Sequence, residues 1–260
     1  MNSETSCSFL VDAEGAAARL PLVESIEVAG RRLRVALPAT YATVPKQAFP
    51  LIVPLDGGAY FGSALEMSRL MGETTEVHHC IVVAVEEAVG TDFDAYAAML
   101  ARDLLPALSQ RYRVAANKTA LFGHGVAGAF VLQAALTRAT GADQFIAGNP
   151  DVALTDAVIR KQRAAYQRNG GVGRRVVLMS AGAGGADVVR SVAANMELIA
   201  GSDLAITSRH LDAVPSSAVA VPALVHGMRA LLSTGEAYGA KVAAMRSPVM
   251  VWLMKYIGPA

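Results

Sequence analysis

Apolar and polar positions along the chain follow two different rhythms. Over "ESIEVAGRRLRVALP" (24–38) they alternate on both sides of Ala29-Gly30, which predicts a hairpin of two half-exposed strands. After "PKQAFP" the alternation stops and short, continuously apolar runs take over: "LIVPL" (51–55), "CIVVAV" (80–85), "TALFG" (119–123), "QFIAGN" (144–149), "RVVLMSAG" (175–182) and "LAITSRHL" (204–211). Stretches with apolar residues three and four apart separate them, at 60–72, 92–112, 126–139, 153–168, 186–200 and 219–233; Phe93, Tyr96, Leu100, Leu104 and Leu108 show the spacing best. Strands apolar on both faces, alternating with helices, predict an α/β fold with a mainly parallel, twisted sheet, helices on both faces and an N-terminal antiparallel hairpin. The pattern divides the chain into a tail (1–20), one domain (21–235) and a C-terminal helical extension (236–260). Pro248 breaks that extension, and Trp252, Leu253 and Tyr256 give it an apolar face to pack on the domain or on a second copy, as a homodimer contact.

Composition narrows the functional classes. The 260 residues are 53% hydrophobic and 17% charged, with a net charge of +1 and well-mixed signs. That leaves no electrostatic footprint for nucleic acid or an anionic membrane. Cys7 and Cys80 have no metal or redox spacing, and no histidine pair has ligand spacing, so neither a metal nor another cofactor is expected. His78-His79 precede their strand, at the end opposite the ligand-binding end. "MNSETSCSF" lacks the basic and apolar segments of a secretion signal, and "SPVMVWLMKYIG" is shorter than the ~20 apolar residues a bilayer needs. The expectation is a soluble, cytoplasmic chain that takes a small-molecule ligand.

The chemistry concentrates in "TALFGHGVAGAF" (119–130). As letters, Gly123-x-Gly125-x-x-Gly128 is a dinucleotide fingerprint, and Asp151 stands near where a ribose-binding acid would sit. Yet a hairpin and several apolar runs precede it, whereas that fingerprint opens its βαβ unit. The same letters are one residue from G-H-S-x-A-G, the strand–turn–helix elbow that presents a nucleophilic serine, with Gly125 in the serine's place.

Four segments favour the elbow: "RRLRVALPATY", "FPLIVPLDGGAYF", "LARDLLPALSQRYRVAANKTALFGHGVAGAF" and "FIAGNPDVAL". Through them the chain resembles the esterase group of α/β-hydrolases that includes enterochelin-esterase-like, esterase D-like and antigen-85-like members, over roughly 25–233. The resemblance implies an α/β-hydrolase fold. It puts the nucleophile on Gly125 and the catalytic histidine on Ser217, with the acid after the 175–180 strand, where Asp187 is a candidate remnant. It also implies an oxyanion pocket built from the N–H groups of Val126 and of Gly58 or Ala59. The segment between Val85 and Phe93 is short where relatives carry an arginine-containing loop.

Acyl transfer needs an oxygen nucleophile, a histidine to take its proton and an acid to orient the histidine. Gly125 and Ser217 supply neither of the first two. Glu86, Glu87 and His124 are the remaining candidates for proton transfer. Gly57, Gly58, Ala59, Tyr60, Gly125, Val126, Asn149, Asp151, Asp187, Ser216 and Ser217 are expected around the pocket, with Asp56 fixing its own glycine turn. Four functions follow: a non-hydrolytic cyclase, lyase or isomerase acting on a carbonyl compound; a pseudoenzyme that scaffolds or senses a ligand; a weak esterase with an unrecognised nucleophile such as Ser216; and a dinucleotide-dependent oxidoreductase.

Overall fold

The two rhythms become two kinds of strand. In the computed structural model, which describes residues 22–137, 139–166, 174–182, 185–200 and 204–233, the alternating segment forms strands β1 (Leu22–Val28) and β2 (Arg31–Leu37). Ala29 and Gly30 join them with φ of 51° and 75°, the pair of left-handed residues a two-residue hairpin turn needs. The apolar runs form β3 (Phe49–Pro54), β4 (Ile81–Val85), β5 (Val114–Gly125), β6 (Gln144–Pro150), β7 (Arg174–Ala181) and β8 (Leu204–Leu211). They make one eight-stranded sheet ordered β1-β2-β4-β3-β5-β6-β7-β8. β2 pairs antiparallel to β1 and β4; every later pairing is parallel.

The helices are α1 (Gly57–Glu73), α2 (Phe93–Met99), α3 (Leu105–Arg111), α4 (Val126–Thr137), α5 (Val152–Tyr166), α6 (Gly185–Ala200) and α7 (Ala220–Leu232). The helix expected over 92–112 is continuous but passes through a π-helical turn at Leu100–Leu104. Pro106 explains that turn: it sits in the first turn of α3 and has no N–H for the preceding helical carbonyls. Asp92 caps the start, accepting from the Ala95 N–H at 3.0 Å.

Successive residues of each strand point to opposite faces, so each strand feeds two cores. Leu51, Val53 and Leu55 pack under α2–α6, whereas Ile52, Ala120 and Phe122 pack under α1 and α7. Nearly every residue of β3, β4, β6 and β7 is buried, which is why those sequences read as unbroken apolar runs, whereas the edge strand β8 is buried only at Leu204 and so departs from the expectation of burial on both faces.

This strand order corrects the dinucleotide reading. The doubly wound nucleotide fold runs 3-2-1-4-5-6 and carries its glycine turn after the first strand; here the turn follows β5, between β3 and β6. The tail (1–20) and the C-terminal extension (236–260) lie outside the described residues. Among the described residues no helix is long and apolar enough to cross a membrane.

Candidate active site at the strand-to-helix elbow

Three glycines shape the junction of β5 and α4, each for a different reason. A Cβ on Gly123 would overlap the Ala127 carbonyl, and one on Gly128 would lie 3.1 Å from the Pro150 Cα. Both positions need glycine because backbone passes too close for a side chain. Gly125 is different. Its φ is +59°, the left-handed conformation of a sharp turn, yet nothing lies within 4 Å of the place a Cβ would take. The turn is that of an elbow, and its apex is open and without a side chain. The chain is held there by the Asp151 N–H, which donates to the Gly125 carbonyl at 2.9 Å.

Backbone donors converge on the same end of the sheet. Val126 is the first residue of α4, and Gly57 and Gly58 are the first two of α1. First-turn N–H groups have no intrahelical acceptor, and the helix dipole adds partial positive charge. Ala59 drops out of the expected set, because its N–H donates to the Asp56 carbonyl at 3.0 Å. Gly57 is glycine because a Cβ there would press on the Val85 carbonyl and Ala84, so α1 can start tight against β4.

His124 stands one residue before the apex. Its ring packs against Tyr60 at 5.9 Å between centroids, and Tyr60 in turn meets Phe122 edge-on at 5.4 Å. Its Nε2 lies 3.4 Å from the Ser216 carbonyl. A carbonyl only accepts, so this contact assigns the proton to Nε2 and leaves Nδ1 with the lone pair. Asn149, at a strained φ of +40°, ties the surrounding loops together: its Nδ2 donates to the Ser216 carbonyl at 3.2 Å, and its Oδ1 accepts from the Ala181 N–H at 2.9 Å.

Asp56 departs from its expected role. It makes no side-chain cap to α1. Burial pushes its carboxyl above the usual carboxylate range, against the opposing pull of the Val89 N–H it accepts and of nearby His124. A half-buried carboxyl within the electrostatic reach of a histidine is the partner sequence reading missed. The signal was present in "LDGGAYF", but nothing in the sequence showed that this loop meets His124.

The other expected residues separate. Glu87 pairs with Arg31, and Glu86 lies 3.3 Å from Arg34 and 3.8 Å from Arg32. This corrects their reading as free bases, since both carboxylates fasten the hairpin to β4 and no hydrogen bond or ion pair among the described residues joins them to His124. Asp151 caps α5, accepting from the Leu154 N–H at 2.9 Å. Asp187 lies in the first turn of α6, 85% exposed and paired with Arg190, away from any histidine contact. Ser216 and Ser217 form a short 3₁₀ turn. The Ser216 hydroxyl donates to the Ala181 carbonyl at 3.2 Å and has no imidazole partner.

A second constellation was not anticipated. The Ser180 Oγ lies 2.7 Å from His210 Nδ1, and His210 Nε2 lies 3.3 Å from Asp212. Ser180 and His210 are directly paired across β7 and β8, so parallel register alone brings them together. Among the described residues no cluster of three or more metal-binding side chains occurs.

Known proteins share this fold. The chain aligns with ferri-bacillibactin esterase BesA of Bacillus subtilis at 24% identity over 153 residues, 45% of this chain and 53% of that protein, so it spans about half the length of that curated relative. Its fold superposes on the BES protein from Bacillus cereus with a TM-score of 0.66 and 18% identity, covering 87% of this chain and 100% of that one. Siderophore hydrolase EstB from Aspergillus nidulans gives the same TM-score and identity, covering 87% and 99%. The family model described as "Putative esterase" matches residues 29–181, a span that runs from the hairpin turn through the elbow to the end of β7, and the chain belongs to that esterase family of α/β-hydrolase fold.

Proposed function

We propose that this chain binds a small carbonyl compound at the elbow and moves a proton on it, a lyase, cyclase or isomerase step in a biosynthetic sequence that forms no acyl-enzyme. The observation that carries this reading is the apex itself: the elbow keeps its close-packed glycines and its donors, but Gly125 offers no atom to acylate. With Ser217 at the position of the family's histidine, two parts of the triad are missing together.

The remaining groups suit enolate chemistry. His124 takes a proton from the carbon next to the carbonyl, and the C–H electron pair becomes the new C=C bond. The charge moves onto the carbonyl oxygen, where the N–H groups of Val126 and Gly58 receive it. Donors of this kind contribute ~10²–10³ each where they have been removed and measured. Asp56 holds the charge that His124 gains. Returning the proton to a different carbon completes an isomerisation; expelling a β-substituent with its electron pair completes an elimination.

Phenylacetone tests this directly, through loss of its α-proton signals in D₂O by ¹H NMR. The wild-type chain should exchange them faster than buffer, and His124→Gln should lower the enzymatic rate by roughly 10²-fold. No exchange sinks the reading; binding without exchange supports a ligand-sensing or scaffolding pseudoenzyme instead.

A weak esterase is the second reading, and the Ser180–His210–Asp212 contact favours it. Ser180 is only 5% exposed, however, and its hydroxyl lies 3.0 Å from the Gly185 carbonyl, where it donates. A fluorophosphonate probe followed by peptide mapping separates the two. The expected result is no adduct on any serine; an adduct on Ser180 would replace the first reading with the second.

A further inference from the structure

The register between β5 and β6 skips Asn149. His124 pairs with Gly148 and Gly125 with Pro150, so Asn149 is the extra residue of a β-bulge. Its φ of +40° lies in the left-handed region, which asparagine tolerates better than most side chains. Bulges turn a side chain out of its regular direction, and this one does so directly beside the elbow.

The redirected side chain closes a cycle of three hydrogen bonds. Its Oδ1 accepts from the Ala181 N–H at 2.9 Å, the Ala181 carbonyl accepts from the Ser216 hydroxyl at 3.2 Å, and the Ser216 carbonyl accepts from Asn149 Nδ2 at 3.2 Å. The cycle fixes the orientation of the amide, since exchanging its oxygen and nitrogen would set donor against donor and acceptor against acceptor. Ser216 lies in an exposed turn, where its carbonyl would otherwise be free to turn to water.

The same Ser216 carbonyl faces His124. The imidazole Nε2 lies 3.4 Å from it, and the Cδ2 edge of the ring stands 3.5 Å from where a Cβ on Gly148 would be. Nδ1 is on the opposite edge and makes no hydrogen bond among the described residues. An imidazole released from an acceptor moves its proton between the two nitrogens, and only the tautomer with a bare Nδ1 takes a proton there.

We infer that Asn149 is a positioning residue for His124: by holding the Ser216 carbonyl in place it keeps the imidazole in the Nε2–H tautomer, with Nδ1 as its basic nitrogen. This rests on the reading of His124 as the base that takes the ligand's proton.

The ¹⁵N signals of the imidazole test it, because bare and protonated ring nitrogens resonate far apart. At about pH 9, above the ordinary imidazole range, wild-type His124 should show a bare Nδ1 and a protonated Nε2, identified by their loss in His124→Gln. Asn149→Gly keeps the left-handed backbone and deletes the amide. Its two His124 nitrogens should shift toward each other as the proton exchanges between them. Exchange of the phenylacetone α-protons should slow by up to about 10²-fold, the cost of a misplaced group, with the Kd for phenylacetone unchanged. Ser216→Ala opens the cycle at the hydroxyl alone and should move the signals the same way by less, which keeps the test open if Asn149→Gly fails to fold. A protonated Nδ1 in the wild type, wild-type signals in both variants, or a loss of affinity in place of rate overturns the inference. The two proposals fail separately: a bare Nδ1 that Asn149 controls, without α-proton exchange, removes the base reading and leaves the tautomer assignment, whereas α-proton exchange with His124 signals indifferent to Asn149 removes this inference alone.

Discussion

Two corners of the same sheet present different parts of what acyl transfer requires. At the β5–α4 corner the backbone is right: a left-handed apex, open space above it, helix-start donors beside it and a histidine next to it, but no hydroxyl. At the β7–β8 corner the side chains are right: Ser180, His210 and Asp212 touch in series, but the serine lies within a strand, buried under Gly185. A Cβ on Gly185 would sit 2.8 Å from the His210 ring, so the cover is tight. The contrast teaches that residue types in contact do not make a nucleophile. Presentation does, and presentation belongs to the backbone.

The largest effect should come from testing the backbone half. Gly123→Ala forces a methyl into the Ala127 carbonyl, which cannot yield, and should cost about 3 kcal/mol or more in urea denaturation. Gly125→Ser meets open space and only the left-handed strain, about 1–2 kcal/mol. If the two cost the same, the apex is not the open elbow described here.

Completing the elbow should have the next largest effect. If, as proposed, Ser217 stands in the place of the family's histidine, Gly125→Ser alone should raise p-nitrophenyl acetate hydrolysis by less than about ten-fold. Adding Ser217→His should raise it by ~10²–10⁴, the range of a positioned general base. Full activity from the single change would show that His124 already serves as that base.

The smallest effect lies away from both corners and calibrates them. His226, on α7, is pushed down to about 4 by burial first, then by Arg209 and Arg229. Its folded pKa is below the unfolded value of 6.5, so the neutral ring's stabilisation is present above that value and lost as pH falls toward 4. Melting temperature should therefore decline between pH 6.5 and 4, and His226→Gln should flatten this part of the curve. Asp56 acts with the opposite sign. Its raised pKa means a contribution present at low pH and lost as pH rises through the folded value, so Asp56→Asn should gain stability at neutral pH.

Much of the architecture was legible in the chain. The period of the hydrophobic pattern gave the hairpin, the six later strands and the helices between them, because burial on one face or two writes itself directly into residue order. The π turn was not visible, since Pro106 disturbs the helix several residues before its own position. At the site, the elbow glycines were legible as a motif, but Glu86 and Glu87 were misread. A carboxylate at a strand end looks the same in sequence whether it faces a ligand or an arginine on the neighbouring strand, and the β2–β4 pairing decides which.

The sequence by itself determined the absence of a hydroxyl at residue 125, the order of strands and helices, and the glycines that let helix and strand approach. Those are local facts, fixed by side-chain volume and periodicity. Only the tertiary structure decided that the Asp56 carboxyl lies half-buried in the field of His124, that Ser216 turns its carbonyl to the imidazole while its hydroxyl bonds the Ala181 carbonyl, and that Asn149 bridges the Ser216 carbonyl and the Ala181 N–H. These are meetings between segments far apart in the chain, and their distances follow from how the sheet is ordered and not from any spacing along it.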